Sequence, residues 1–107
     1  MMEWAPFEYL DFWDYPRILV VAFDGALHLL DAPFDEIVDE YPNMYTIKIL
    51  DSHPGSGSWA GLGSDVESIG SLMIVPELFD ETRRRKVRVD LIRAAIRETM
   101  PDTQKKP

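Results

Sequence analysis

Residues 17–31 read RILVVAFDGALHLLD, two apolar runs on either side of Asp24-Gly25. Asp-Gly between apolar runs signals a hairpin, because a two-residue type I′ turn needs positive φ at both central positions and these residues tolerate it. The pattern predicts a strand over residues 17–23, preceded by Pro16, and a returning strand over residues 26–31. The first run is rich in β-branched residues and apolar on both of its faces, which predicts a central strand covered on two sides. A chain with such a strand must supply cover for two faces.

The remaining segments are read by apolar spacing and by their breakers. Residues 3–17, EWAPFEYLDFWDYPR, hold six of the twelve aromatic residues but are interrupted by Pro6 and Pro16 and fit neither strand nor helix period. An irregular aromatic arm is expected over residues 1–15. In DAPFDEIVDEY (residues 31–41), Asp31 can cap a helix with Pro33 early in it, and Phe34, Ile37, Val38 and Tyr41 then form one buried stripe ending at Pro42. MYTIKIL (residues 44–50) alternates as a third strand. The loop over residues 51–65 contains four glycines, with Trp59 anchoring it onto the core. Ser64 or Asp65 is expected to cap a short helix through Ser71. LMIVPELF (residues 72–79) reads as a fourth strand at an edge or bulge, because Pro76 cannot donate to a ladder. KVRVD (residues 86–90) is read as a further short strand. Asp90 caps LIRAAIRETM (residues 91–100), whose inner face is Leu91, Ile92, Ala95, Ile96 and Thr99, with Arg93, Arg97 and Glu98 toward water. Residues 101–107 form a frayed tail. The expectation is one α+β domain over residues 1–107: an antiparallel or mixed sheet of about four strands with two or three short helices packed on it.

Charge is unevenly distributed. The chain of 107 residues has a net charge of −8, but residues 1–80 hold fifteen Asp or Glu against Arg17 and Lys48, a balance of −13. Residues 81–107 carry nine Lys or Arg against four acids, a balance of +5. A segment so acidic repels nucleic acid and is drawn toward basic surfaces over about a Debye length of 8 to 10 Å. With 46% hydrophobic residues the chain is of globular composition, and with no cysteine it can build neither disulfides nor a Cys-based zinc site. A start lacking a basic n-region and the absence of an apolar run near 20 residues point to the cytoplasm rather than secretion or a membrane.

Catalytic motifs are weak. His53 lies near Ser56 and Ser58, but HPGSGSWAG does not spell a G-x-S-x-G elbow. The same glycines lack the Lys-Ser/Thr of a phosphate loop. His28 and His53 are too far apart in sequence to suggest a metal site, and Asp31, Asp35 and Asp39 do not follow the alternation of a calcium loop. No cofactor is expected. RRRK (residues 83–86) with Arg88 is the only basic run. It lacks interleaved aromatics, so it is read as packing its stems on the sheet edge and pairing with the acidic face.

What remains is a surface for a protein partner. Asp31, Asp35, Glu36, Asp39 and Glu40 place five carboxylates in eleven residues without one Lys or Arg. The expected reading is a non-enzymatic acidic binding module that docks these acids on a basic protein, with Trp13 and Trp59 as aromatic anchors. The alternatives are a ligand-binding domain or enzyme using the 51–65 loop and His53, or a housekeeping adaptor.

The runs PFEYLDFWDYPR (residues 6–17) and LDAPFDEIVDEYPNMY (residues 30–45), with GSWAGL after them, resemble a family of small uncharacterised bacterial proteins. That resemblance carries no activity or site residue to transfer. In general build the chain is also similar to immunity proteins of bacterial toxin systems, small acidic α+β domains that plug a basic toxin nuclease. This likeness implies an inhibitor of such a toxin as the expected role.

Overall fold

The computed structural model describes residues 2–55, 59, 62, 63 and 65–99. Strands β1 (Trp4–Trp13), β2 (Tyr15–Phe23), β3 (Ala26–Asp31), β4 (Met44–Leu50) and β5 (Gly70–Met73) run as an antiparallel meander, and β6 (Lys86–Arg88) pairs with β1 at the far edge. The sheet order is β5-β4-β3-β2-β1-β6, curled into a half-barrel. A one-turn 3-10 helix, Pro76–Leu78, precedes β6, and helix α1 (Val89–Thr99) follows it directly.

This overturns the expectation of about four strands with two or three short helices. The aromatic arm is β1, a ten-residue strand whose Phe7 and Tyr9 face Val21 and Leu19 of β2. Its period was hidden because Asp11 and Asp14 take positive φ of 69° and 66° near the β1–β2 turn, a conformation that Asp tolerates better than most residues. Residues 31–41 are not a helix either. Asp31 ends β3, and the chain makes an exposed hairpin loop before β4. The helix expected from residue 65 to 71 gives way to an irregular approach to β5, and the expected strand over 72–79 is split between β5 and the 3-10 turn that Pro76 opens. The expected tail, residues 101–107, lies outside the described residues.

The Asp24-Gly25 turn does join β2 to β3, with φ of 52° and 76° and Phe23 paired with Ala26. Strand β2 is central, and Leu19, Val20 and Val21 are successively 0%, 2% and 1% exposed. Because side chains alternate across a strand, this burial needs two separate covers. On the concave side, Leu19 and Val21 join Phe7, Leu30, Tyr45 and Ile47 beneath Val89, Ile92 and Ala95 of α1. On the convex side, Val20, Leu29 and Leu50 are covered by Trp59. The helix approaches β5 closely at Gly70, where a Cβ would stand 3.4 Å from the Ile96 Cα.

Polar links fasten α1 across the sheet. Arg93, expected to face water, instead forks onto Asp24, with Nε to Oδ2 at 2.7 Å and Nη2 to Oδ1 at 2.9 Å, and also reaches Glu3. Asp90 accepts from the Glu3 N–H and from Arg88, which holds its carboxyl down at about 2. Tyr45 is fully buried and donates its hydroxyl to the Pro16 carbonyl.

His28 is the awkward group. It is 4% exposed, stacks on Phe23 with ring centroids 3.8 Å apart, and its Nδ1 finds no hydrogen-bond partner among the described residues. Burial lowers its pKa, opposed by neighbouring backbone hydrogen bonds and by the charge of Asp24. A base whose folded pKa is depressed leaves the native state holding fewer protons than the unfolded chain, so its stability contribution is complete above the unfolded value of about 6.5 and declines below it. The urea midpoint should therefore fall between about pH 7.5 and about pH 5.5, and His28→Leu should flatten that slope. An unchanged slope in the variant would assign the pH dependence to another group.

Candidate functional site

The loop between β3 and β4 owes its form to what brackets it. Only eight residues separate Pro33 from Pro42, and as a helix they would carry two like-charged i,i+4 pairs, Asp35 with Asp39 and Glu36 with Glu40. So short a helix has little to offset its nucleation cost. The chain instead forms a tip. Asp35 and Glu40 exchange backbone hydrogen bonds of 2.9 and 3.2 Å, and the Asp35 carboxylate accepts from the Ile37 and Val38 N–H groups at 2.9 and 3.4 Å. Asp39 closes the turn with a φ of 58°. This is the local side-chain-to-backbone bonding by which Asp makes turns.

The apolar residues expected to be a buried stripe are therefore largely outside. Ile37 is 94% exposed at the apex, Val38 58% and Phe34 42%. Beside them Trp13, at the end of β1, is 60% exposed and stacks on Tyr41 at 6.0 Å and 17°, while Phe34 meets Tyr41 edge-on at 5.1 Å. Together these groups make an exposed apolar surface, in which Phe34, Ile37 and Val38 share their loop with the carboxylates of Asp35, Glu36, Asp39 and Glu40.

Below the tip lies a cleft of about 540 Å³. Trp13, Phe34 and Tyr41 form its aromatic wall, Asp14, Asp39 and Glu40 its acidic rim, and Arg17 and Asn43 complete the lining. Arg17 is 5% exposed and has no carboxylate partner among the described residues. Its Nε donates to the Trp13 carbonyl at 3.0 Å and its Nη1 to the Pro42 carbonyl at 2.9 Å, while its Cζ sits 4.6 Å from the Tyr41 ring centre. Among the described residues, nothing accepts a hydrogen bond from Nη2.

The basic run is used elsewhere. Arg83 and Arg84 lie over the rings of Tyr15 and Phe12 at 4.7 and 4.3 Å, and Arg83 donates to the Asp14 carbonyl. Arg88 pairs with Asp90. Among the described residues, no Lys or Arg forms an ion pair with Asp35, Glu36, Asp39 or Glu40. The stems thus pack on the sheet edge as expected, without the expected pairing to the tip.

The structure distributes the sequence-derived site residues over two faces. Asp35, Glu36, Asp39, Glu40 and Trp13 come together at the tip. Asp31 is half-buried in β3, where burial raises its pKa against the pull of Lys48. Trp59 is 6% exposed on the convex face, its indole N–H donating to the Gly55 carbonyl at 3.3 Å. Arg17, Phe34, Ile37, Val38, Tyr41 and Asn43 were missed as site residues. The Pro33 and Pro42 brackets were the signal that could have exposed the tip. Arg17 offered only its position as one of two bases in eighty residues.

The histidine loop has a different geometry. His53 contacts Glu8 through Nε2, and its Nδ1 accepts from the Gly55 N–H at 2.9 Å. Both ring nitrogens are engaged, so the imidazole has no lone pair aimed at a substrate. Ser56 and Ser58 lie outside the described residues. An open groove of about 690 Å³ runs beside His53, with Phe23, Leu27, Ile49 and Leu50 in its walls. Among the described residues no group of three or more His, Asp or Glu could hold a metal ion, and no helix is long and apolar enough to cross a membrane. Compared with protein-family models, curated proteins and solved structures, the chain has no significant match.

The two tryptophans should separate under substitution. Trp59→Ala removes the cover of the convex core and should lower the unfolding free energy by about 3 to 5 kcal/mol. Trp13→Ala loses an exposed stacking pair and should cost about 1 kcal/mol. Ile37→Ser should be neutral within about 0.5 kcal/mol, because the side chain touches little. Urea titrations of the three variants test this order, and a costly Ile37→Ser would mean that the tip packs against the fold.

Proposed function

We propose that this chain is a non-enzymatic binding module that docks its β3–β4 tip on a basic protein surface. The observation that carries this reading is Ile37, 94% exposed at the apex of a hairpin whose four carboxylates have no cation partner among the described residues. Exposed apolar groups inside a polar ring are the arrangement of an interface centre with its rim. The carboxylates attract a basic partner and speed encounter, and Trp13, Phe34, Ile37 and Val38 slow dissociation once the surfaces close. Trp59 is left out of this contact because it is already covered.

The finer proposal is an immunity-like inhibitor. Asp35, Glu36, Asp39 and Glu40 would then occupy the positions at which a nuclease toxin's Lys and Arg hold phosphates. The groove beside His53 supports a second reading, a small apolar ligand held between the β2–β3 turn and the start of the 51–65 loop. The engaged nitrogens of His53 favour binding over catalysis in that groove.

Capture experiments from the native host, with wild type and two variants, test the leading reading. A basic partner should be retained by the wild type, with an association rate that falls as salt rises. Asp39→Asn/Glu40→Gln should slow association about tenfold, and Ile37→Ser should mainly speed dissociation. If the partner is a nuclease, adding the chain should suppress its cleavage. Retention that ignores both variants, or a partner that is not basic, rejects the tip as the docking surface.

A further inference from the structure

The cleft below the tip has a more particular chemistry than the tip itself, and it rests on the same reading of the chain as a binder of basic protein. Arg17 is nine-tenths buried, yet one of its guanidinium nitrogens has no acceptor among the described residues. Two backbone carbonyls and the Tyr41 ring hold the group in place, so the remaining donor is presented at fixed geometry. That nitrogen is not sealed from solvent, since His28 Nδ1 is the buried side-chain atom left without a partner among the described residues, so an occupant that supplies an oxygen takes the place of water at Nη2.

The rim decides which oxygen. Asp14, Asp39 and Glu40 line the cleft together with Arg17. A free anion meant for Arg17 would meet their repulsion, whereas a neutral carbonyl would not. The same carboxylates favour a positive charge nearby, and the exposed face of Trp13 favours one that is flat and weakly hydrated. The chain already satisfies Tyr41 in this way, with the guanidinium of Arg17 itself. Carbonyl, apolar stem and guanidinium occur together in one residue of a peptide.

We propose that the cleft receives a single arginine of the partner's chain. Its main-chain carbonyl accepts from Arg17 Nη2, its stem lies on Trp13, and its guanidinium sits among Asp14, Asp39 and Glu40. The tip then acts as the apolar seal beside this anchor, and the specificity of the surface lies in the cleft. A cleft of about 540 Å³ accommodates one long side chain with its main-chain flanks.

The test is a titration of the ¹⁵N-labelled protein with acetyl-Gly-Arg-Gly-amide, its citrulline counterpart and free arginine, following the Trp13 indole and the Arg17 Nε–H. The arginine peptide should shift both signals, and the citrulline peptide should bind about fivefold more weakly. Glu40→Gln should weaken the arginine peptide about threefold, and Trp13→Ala should abolish the response at Arg17; both positions are exposed, and the dispersion of the remaining spectrum checks the fold. No shift at either group by about 10 mM peptide, equal binding of citrulline, or binding that survives Trp13→Ala overturns the proposal. Free arginine binding as tightly as the peptide also overturns it, because the site would then take the amino acid rather than a chain. The two readings fail separately. A partner lost by Ile37→Ser but kept by Trp13→Ala leaves the docking tip standing and removes the cleft, whereas a cleft that takes the peptide with no basic partner captured removes the docking function.

Discussion

Leu19, Val20 and Val21 are buried in succession on one strand, and every other layer of this protein answers to that constraint. At about 25 cal/mol per Å² of apolar surface, leaving either face of β2 wet would forfeit several kcal/mol, on the scale of the whole stability of a domain this size. The concave face is met by α1 together with Leu78 and Phe79, the convex face by Trp59. The two covers are unequal. The concave core is assembled from five strands and a helix, whereas on the convex side Val20, Leu29 and Leu50 lie beneath Trp59, so that core depends more heavily on one side chain.

At the start of β2, Pro16 is buried and accepts the Tyr45 hydroxyl, and the next residue, Arg17, is 5% exposed. A guanidinium buried at the end of a core must find acceptors, and here the carbonyls of Trp13 and Pro42 come from the two segments that flank the cleft. The same side chain therefore ties the β1–β2 turn to the end of the tip loop. The exposed Trp13, the tip and the acidic rim are held in register by a residue that the fold itself has cause to bury.

Legibility in the sequence followed how local the determining interaction is. The β2–β3 hairpin and α1 were readable because Asp24-Gly25 and the Leu91, Ile92, Ala95, Ile96 face are determined within a few residues. β1 was not, since Asp11 and Asp14 break its alternation with a backbone conformation that only the paired strand reveals. Residues 31–41 misled for a different reason. Their apolar spacing fits a helix, but the segment has only eight residues between prolines, and the antiparallel course of β3 and β4 makes a tight reversal cheaper than a nucleated helix. The acids of the candidate site were legible from composition alone and the core contact of Trp59 from its place in the glycine-rich loop, whereas Arg17 required knowledge of which face each strand residue occupies. Arg93 likewise reads as a solvent residue on its helix, and only the fold brings the β2–β3 turn within its reach.

The tip is where fold and sequence part company. A hairpin loop needs residues that turn, and Asp35 and Asp39 provide them through a side-chain acceptor and a positive φ. Nothing in that geometry asks for Ile37 and Val38, which contribute almost no burial, or for Glu36, whose charge adds repulsion to its neighbours. Asn, Gly or Ser at those positions would suit the turn at least as well. The basic run does not answer the charge either, since its first two guanidinium groups are spent on Tyr15 and Phe12 at the other side of the β1–β2 turn. Residue choices that break local rules without a folding gain concentrate at functional sites. Among the described residues the acids of the tip have no cation partner and Ile37 has almost no burial, so the choice of residues there is not accounted for by what it holds together.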